Sequence, residues 1–192
     1  MQRVATRFQL SIAVPEVFFG AEADQIAAAC LAMARRFHQG GRLLAFGNGA
    51  WATDAQHIAV EFVHPVIVGK RALPALALTN DSAALSESHT SGGPNFARQL
   101  STLSRPHDIA IGFSPDGGCV NVLAALQQAR HRGLLALGLA GGNGGQFARA
   151  GLDFCFVVPS RDLLAVQETH ETLYHVLWEL VHVFFEHEGL LT

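Results

Sequence analysis

"LLAFGNGAWATDAQHIAVEF", residues 43–62, decides the fold. It opens as a short apolar strand, turns at Gly47–Gly49, and continues from 52 to 63 with apolar positions at helical spacing, Ile58 and Phe62 among them. Strand, glycine turn and helix in that order are a unit of a parallel α/β sheet. Glycines after a strand let backbone N–H groups and the helix N-terminus approach an anion. Yet Trp51 stands where a small polar residue is expected. The GxGxxA spacing alone fits many α/β turns. A dinucleotide site would also need an acidic residue after the next strand, about 20 residues on, and the intervening helix and loop are too long for that. Four positions apart on the helix, His57 and Glu61 share a face, where an imidazole and a carboxylate could meet one metal or one substrate, or simply each other at the surface.

Outward from this unit the same alternation continues. Residues 22–38 have helical spacing and end at Gly40–Gly41. Apolar strands are expected at "LPALALT" (73–79), "DIAIGFS" (108–114), "LLALGLA" (134–140) and "DFCFVVP" (153–159). A helix is expected at "VNVLAALQQARHRG" (120–133), and a long apolar one from about Leu164 to Glu186. The expected architecture is therefore a three-layer α/β/α sandwich around a parallel five-stranded sheet, with ligands beyond the C-terminal strand ends. Those ends read "GNGAWA", "TNDSAALS", "SPDGGC" and "AGGNGG".

Bulk composition narrows the function. At 192 residues and 49% hydrophobic content the chain can bury a sizeable core as one domain. A net charge of −3 with 13 scattered Lys and Arg gives no electrostatic footprint for nucleic acid. Three cysteines at unrelated spacings imply neither a disulfide framework nor a CxxC metal site, which fits a reducing, cytoplasmic compartment. No run of about 18 apolar residues is present, and Pro15 and Glu16 interrupt the N-terminal apolar stretch, so neither a membrane span nor a signal peptide is expected.

Two further stretches bear chemistry. "VQETHETLYHVLWELVHVFFEHE" (166–188) holds four histidines, His170, His175, His182 and His187. Gln167 and His175 are eight apart, about 12 Å along an ideal helix, too far for one metal from one straight helix. Either the helix begins after Gln167, or the site is shared between subunits. In "GFSPDGGC" (112–119), Ser114 and glycine amides could hold a phosphate, but Asp116 would oppose it by on the order of 1 to 4 kcal/mol at about 4 Å. The apolar tail helix must be buried, between subunits or inside one core.

Taken together and in order, "FHQGGRLLAFGNGAWATDAQHIAVEF", "LPALALT", "NVLAALQQARHRG", "LAGGNGGQFA", "VPSRD" and "VQETHETLYH" resemble the phosphoheptose isomerases of the SIS (sugar isomerase) fold. The likeness covers nearly the whole chain and implies one SIS domain over 1–192 with N- and C-terminal helices. It implies aldose–ketose isomerisation between sedoheptulose 7-phosphate and glycero-manno-heptose 7-phosphate, a zinc ion, and a homotetramer with active sites between subunits. The family's DAxHxxxE and QExHxxxxH motifs place zinc ligands at His57, Glu61, Gln167 and His175, with Glu61 and His175 as base and acid. Matching of the turn and the phosphate loop, with those motifs, places substrate contacts at Asn48, Gly49, Ala50, Glu61, Ser114, Pro115, Asp116, Cys119 and Gln167.

The departures sit at the phosphate corner. The family's GNGGS turn is Gly47-Asn48-Gly49-Ala50-Trp51 here, and its STSGNS loop is Ser114-Pro115-Asp116-Gly117-Gly118-Cys119, keeping one hydroxyl of four. Beyond Asn80-Asp81, which directly follow the second strand, the segment "SESHTSGGPNF" (86–96) is shortened relative to the family. These changes leave room for a different ligand, with Trp51 either stacking on it or filling a pocket. A non-catalytic alternative is the SIS homologue that associates with the bacterial replication initiator, but that protein lacks the glutamate and final histidine kept here.

Overall fold

The computed structural model describes residues 2–81, 85 and 95–191; most of the "SESHTSGGPNF" segment lies outside them. The described elements, in chain order, are α1 (Gln2–His38), β1 (Leu43–Gly47), α2 (Ala50–Val63), β2 (Ala75–Ala77), α3 (Phe96–Leu103), β3 (Ile109–Phe113), α4 (Val120–His131), β4 (Leu135–Gly141), β5 (Phe154–Val158) and α5 (Leu163–Glu186). All strand pairs are parallel, in the order β2-β1-β3-β4-β5.

Strand residues alternate between two apolar clusters, as a period of two requires. Leu43, Ala45, Ile109, Ile111, Leu137 and Leu139 face α1, α2 and α5. Leu44, Phe46, Ala110, Ala136 and Ala140 face α3 and α4. Both faces of β1, β3 and β4 are therefore covered, which is why these strands read as unbroken apolar runs.

Two expectations change. The first helix begins at Gln2, not at 22, and carries Pro15 in its interior. Proline there removes a hydrogen bond and disfavours the helix by about 3 kcal/mol. Tertiary contacts offset that cost: Phe18 and Ile26 are buried in the core, and Arg7 pairs with Asp162 and Glu168 at 2.7 Å each. This helix is also long and apolar enough to cross a membrane by length and composition alone, with mean hydropathy 1.3 in its most apolar window, a third of which is buried inside the molecule. The second change is β2, which pairs over three residues only. The tail helix α5 buries Ala165, Val166, Leu173, Tyr174, Leu177, Trp178 and Val181 within this chain, so the core reading accounts for its apolar face.

Candidate functional site

The site grows from two helices that follow strand ends. Gly49, with φ at +56°, lets the chain leave β1 and enter α2 directly, a conformation an L-residue with Cβ disfavours. On α2, His57 and Glu61 project from one face, with His57 Nε2 3.3 Å from Glu61 Oε1. On α5, His175 stands opposite; its ring centroid is 5.1 Å from that of His57. The backbone carbonyl of Glu61 accepts a hydrogen bond from Trp178 Nε1 at 2.8 Å, which fixes α2 against α5 at this level.

Three residues that sequence reasoning missed complete the corner. Tyr174 hydrogen-bonds His57 Nδ1 through its hydroxyl at 2.8 Å. Asp54, buried at 4% exposure, accepts from Gln167 Nε2 at 2.9 Å. Burial pushes the Asp54 carboxyl up to about 6, an effect the Gln167 hydrogen bond opposes, and burial also raises the Tyr174 phenol above its ordinary value. Glu171 brings an oxygen 3.6 Å from His57 Nδ1, and donor atoms of His57, Glu171 and His175 all lie within 4.8 Å of one another. For Glu171 a signal was available: Glu171 and His175 repeat the four-residue spacing of His57 and Glu61. For Asp54 and Tyr174 there was none, because their roles depend on how the two helices rotate against each other.

Gln167 is on α5, which starts four residues before it, so the reading in which the helix begins after Gln167 falls away. Its amide turns to α2, donating to Asp54 and, at 3.3 Å, to the Ala50 carbonyl. Trp51 is buried, packed edge-on to the His170 ring at 5.3 Å; it fills the core rather than stacking on a ligand. His170 is itself buried, and desolvation holds its imidazole down at about 4, in the neutral form. His182 is buried too, its ring nitrogens 2.7 and 2.8 Å from the Trp178 and Arg71 carbonyls.

The rebuilt phosphate corner uses its polar atoms on itself. Ser114 is fully buried and its Oγ accepts from Gly117 N–H at 2.9 Å. Asp116 Oδ1 accepts from Gly118 N–H at 2.8 Å. Asn48 and Asn121 exchange two amide hydrogen bonds, 2.8 and 2.9 Å, tying the first glycine turn to the start of α4. Cys119 occupies the N-cap position of α4, partly exposed and making no capping bond. Beside Asp116 a cleft of about 320 Å³ opens between Pro115, Asn143, Ser160 and Arg161. Arg161 supplies this cleft with a positive charge, a compensation for Asp116 that the motif comparison overlooked.

Comparison with known proteins agrees with the geometry. The SIS domain family model matches residues 9–141. A phosphoheptose isomerase of Solidesulfovibrio magneticus is 40% identical over 189 residues, 97% of this chain and 92% of that protein. The structure of a phosphoheptose isomerase from Neisseria gonorrhoeae superposes with TM-score 0.84 at 31% identity, covering 94% of this chain and 97% of the other. One from Francisella tularensis gives TM-score 0.87 at 28% identity, covering 95% and 97%.

Proposed function

This chain belongs to the phosphoheptose isomerases of the SIS-domain family, and from that premise we propose that it interconverts sedoheptulose 7-phosphate and glycero-manno-heptose 7-phosphate. The observation that carries the reading is the convergence of His57, Glu61 and His175 across the α2–α5 contact.

The chemistry requires a proton to leave C1 of the ketose and return to C2, while a second proton is lost from O1 and one is gained at O2. Glu61 is suited to the carbon-to-carbon transfer, because its side chain is 13% exposed, poorly hydrated and steadied by His57. Its carboxylate takes the C1 proton, the electron pair forms the C1–C2 double bond of an enediol, and the same carboxyl returns the proton to C2. His175 faces the same space and donates to O2 as that double bond forms, then recovers the proton from O1. His57, Glu61 and His175 have the imidazole and carboxylate donors that a zinc ion takes. Such an ion would supply polarisation of the carbonyl oxygen. In the cleft, Arg161 is the group proposed to receive the phosphate, with Asn143 and Ser160 lining the cleft beside it.

The proposal extends to a zinc-dependent cytoplasmic enzyme whose single domain assembles as a homotetramer. The exposed stripe Val4, Phe8 and Ile12, at four-residue intervals on α1, supports assembly.

The test is turnover of sedoheptulose 7-phosphate followed by NMR. Wild-type protein should produce the aldose, and Glu61→Gln should slow it by roughly 10²- to 10⁴-fold, the usual contribution of a general base. An unchanged rate in Glu61→Gln, or no aldose from wild type, defeats this assignment.

A further inference from the structure

At the edge of the sheet where the strands begin, opposite the rim of catalytic loops, the chain gathers positive charge around a hollow. A cavity of about 440 Å³ lies between the end of α1 and the start of β4, lined by Ala32, Arg35, Arg36, Gln39, His107 and Leu135. None of these six residues is a carboxylate.

Both arginines are held in place without being neutralised. Arg36 Nη1 donates to the Gly133 carbonyl at 3.0 Å, and Arg35 Nη2 to the Leu190 carbonyl at 3.4 Å. Carbonyl oxygens orient a guanidinium but leave its charge, and most of its five N–H donors stay free. Among the described residues neither arginine forms an ion pair. A basic last turn often serves the helix's own final carbonyls. Here backbone amides take those carbonyls, Gln39 N–H bonding Arg35 O at 3.0 Å and Gly41 N–H bonding Arg36 O at 2.9 Å.

The acid beside His107 in the chain, Asp108, offers the hollow no compensation. It is buried, and accepts from Arg42 Nη2 and from the amides of Arg42 and Arg105, each at 2.9 Å. Those bonds also brace the turn that carries His107, whose φ of +72° lies in the region that favours glycine. An exposed imidazole is thus presented at the hollow from a fixed backbone.

We propose that this hollow binds a small organic phosphate monoester, with the phosphate across Arg35 and Arg36, a ring N–H of His107 beside it, and an apolar body on Ala32 and Leu135. The guanidinium fork matches phosphate oxygens in pairs. A bare phosphate would leave most of the volume unused, whereas pockets of roughly 300–1,000 Å³ take larger organic ligands. The site stands apart from the isomerase reading, since the Arg161 cleft lies at the other end of the strands.

Phenylglyoxal, which modifies accessible guanidinium groups, reads this site residue by residue when modified peptides of the full-length protein are mapped by mass spectrometry. Phenyl phosphate at about ten times its dissociation constant should slow modification of Arg35 and Arg36 roughly tenfold, while exposed Arg149 keeps its rate. Inorganic phosphate should protect the same two residues only at higher concentration, and equal potency overturns the assignment to an ester. Equal protection by chloride at matched ionic strength, or slowing at Arg149 as well, means screening alone and overturns the site. His107→Gly suits the backbone and should melt no lower than wild type. It should weaken protection by roughly tenfold, the worth of one hydrogen bond to a charged group; unchanged protection removes His107 from the site. Arg161→Gln should leave protection of Arg35 and Arg36 intact, and its loss there would place the ligand in the other cleft and overturn the proposal.

Discussion

Tyr174 lies one residue before His175 on α5, yet its hydroxyl serves His57 on the other helix. A second hydrogen-bonding partner fixes which imidazole nitrogen is free and how the ring is aimed. Tyr174→Phe keeps the buried ring and removes only that partner. It should lower zinc affinity and turnover by about tenfold with little change in melting temperature; calorimetry with zinc and the NMR assay together measure it. If both values hold at wild-type level, His57 is oriented by packing alone. At this scale, legibility followed local spacing. His57, Glu61 and His175 could be named from the sequence because one-face spacing and motif matching coincide there. Asp54 reads in the sequence as an ordinary first-turn residue, and only the approach of Gln167 across 113 positions gives it a role.

Among the elements, strands β1, β3, β4 and β5 came close to their expected bounds, because continuous apolar runs between glycines admit little else. Helix α1 did not. Pro15 in its interior reads as a break when only local propensity is weighed, and the contacts that override it, Arg7 with Asp162 and Glu168, join residues about 155 positions apart. The two glycine loops beyond β3 and β4 were each visible, but not their interlock. Gly117 has φ at +75°, and a Cβ on it would fall 2.0 Å from the Gly144 carbonyl oxygen. Gly117→Ala should therefore cost roughly 2 kcal/mol or more, a fall of at least about 4 °C in melting temperature for a chain of this size. It should also reduce turnover by opening the cleft beside Asp116. A melting curve that matches wild type would mean the loops separate without penalty.

Across the whole molecule, the sheet order places the ends of β1, β3, β4 and β5 side by side, so two helices and two loops share one rim. Parallel strands make this arrangement readable in advance, since every loop after a strand emerges on the same edge. Assembly is less readable, because an apolar stripe shows that a surface wants cover and not what covers it. Phe8 is 62% exposed between Val4 and Ile12. Phe8→Glu should shift the particle to a smaller species in light scattering while leaving the monomer's melting behaviour close to wild type. An unaltered particle mass would move the contact elsewhere.

Arg7 has a consequence for handling this protein. Its guanidinium grips Asp162, which caps the first turn of α5 by accepting from Ala165 N–H, and Glu168, one turn further on. The opening two turns of the chain are thus bolted to the helix that presents Glu171 and His175. A purification handle or fusion partner at the amino end would pull on the helix that carries the reactive corner.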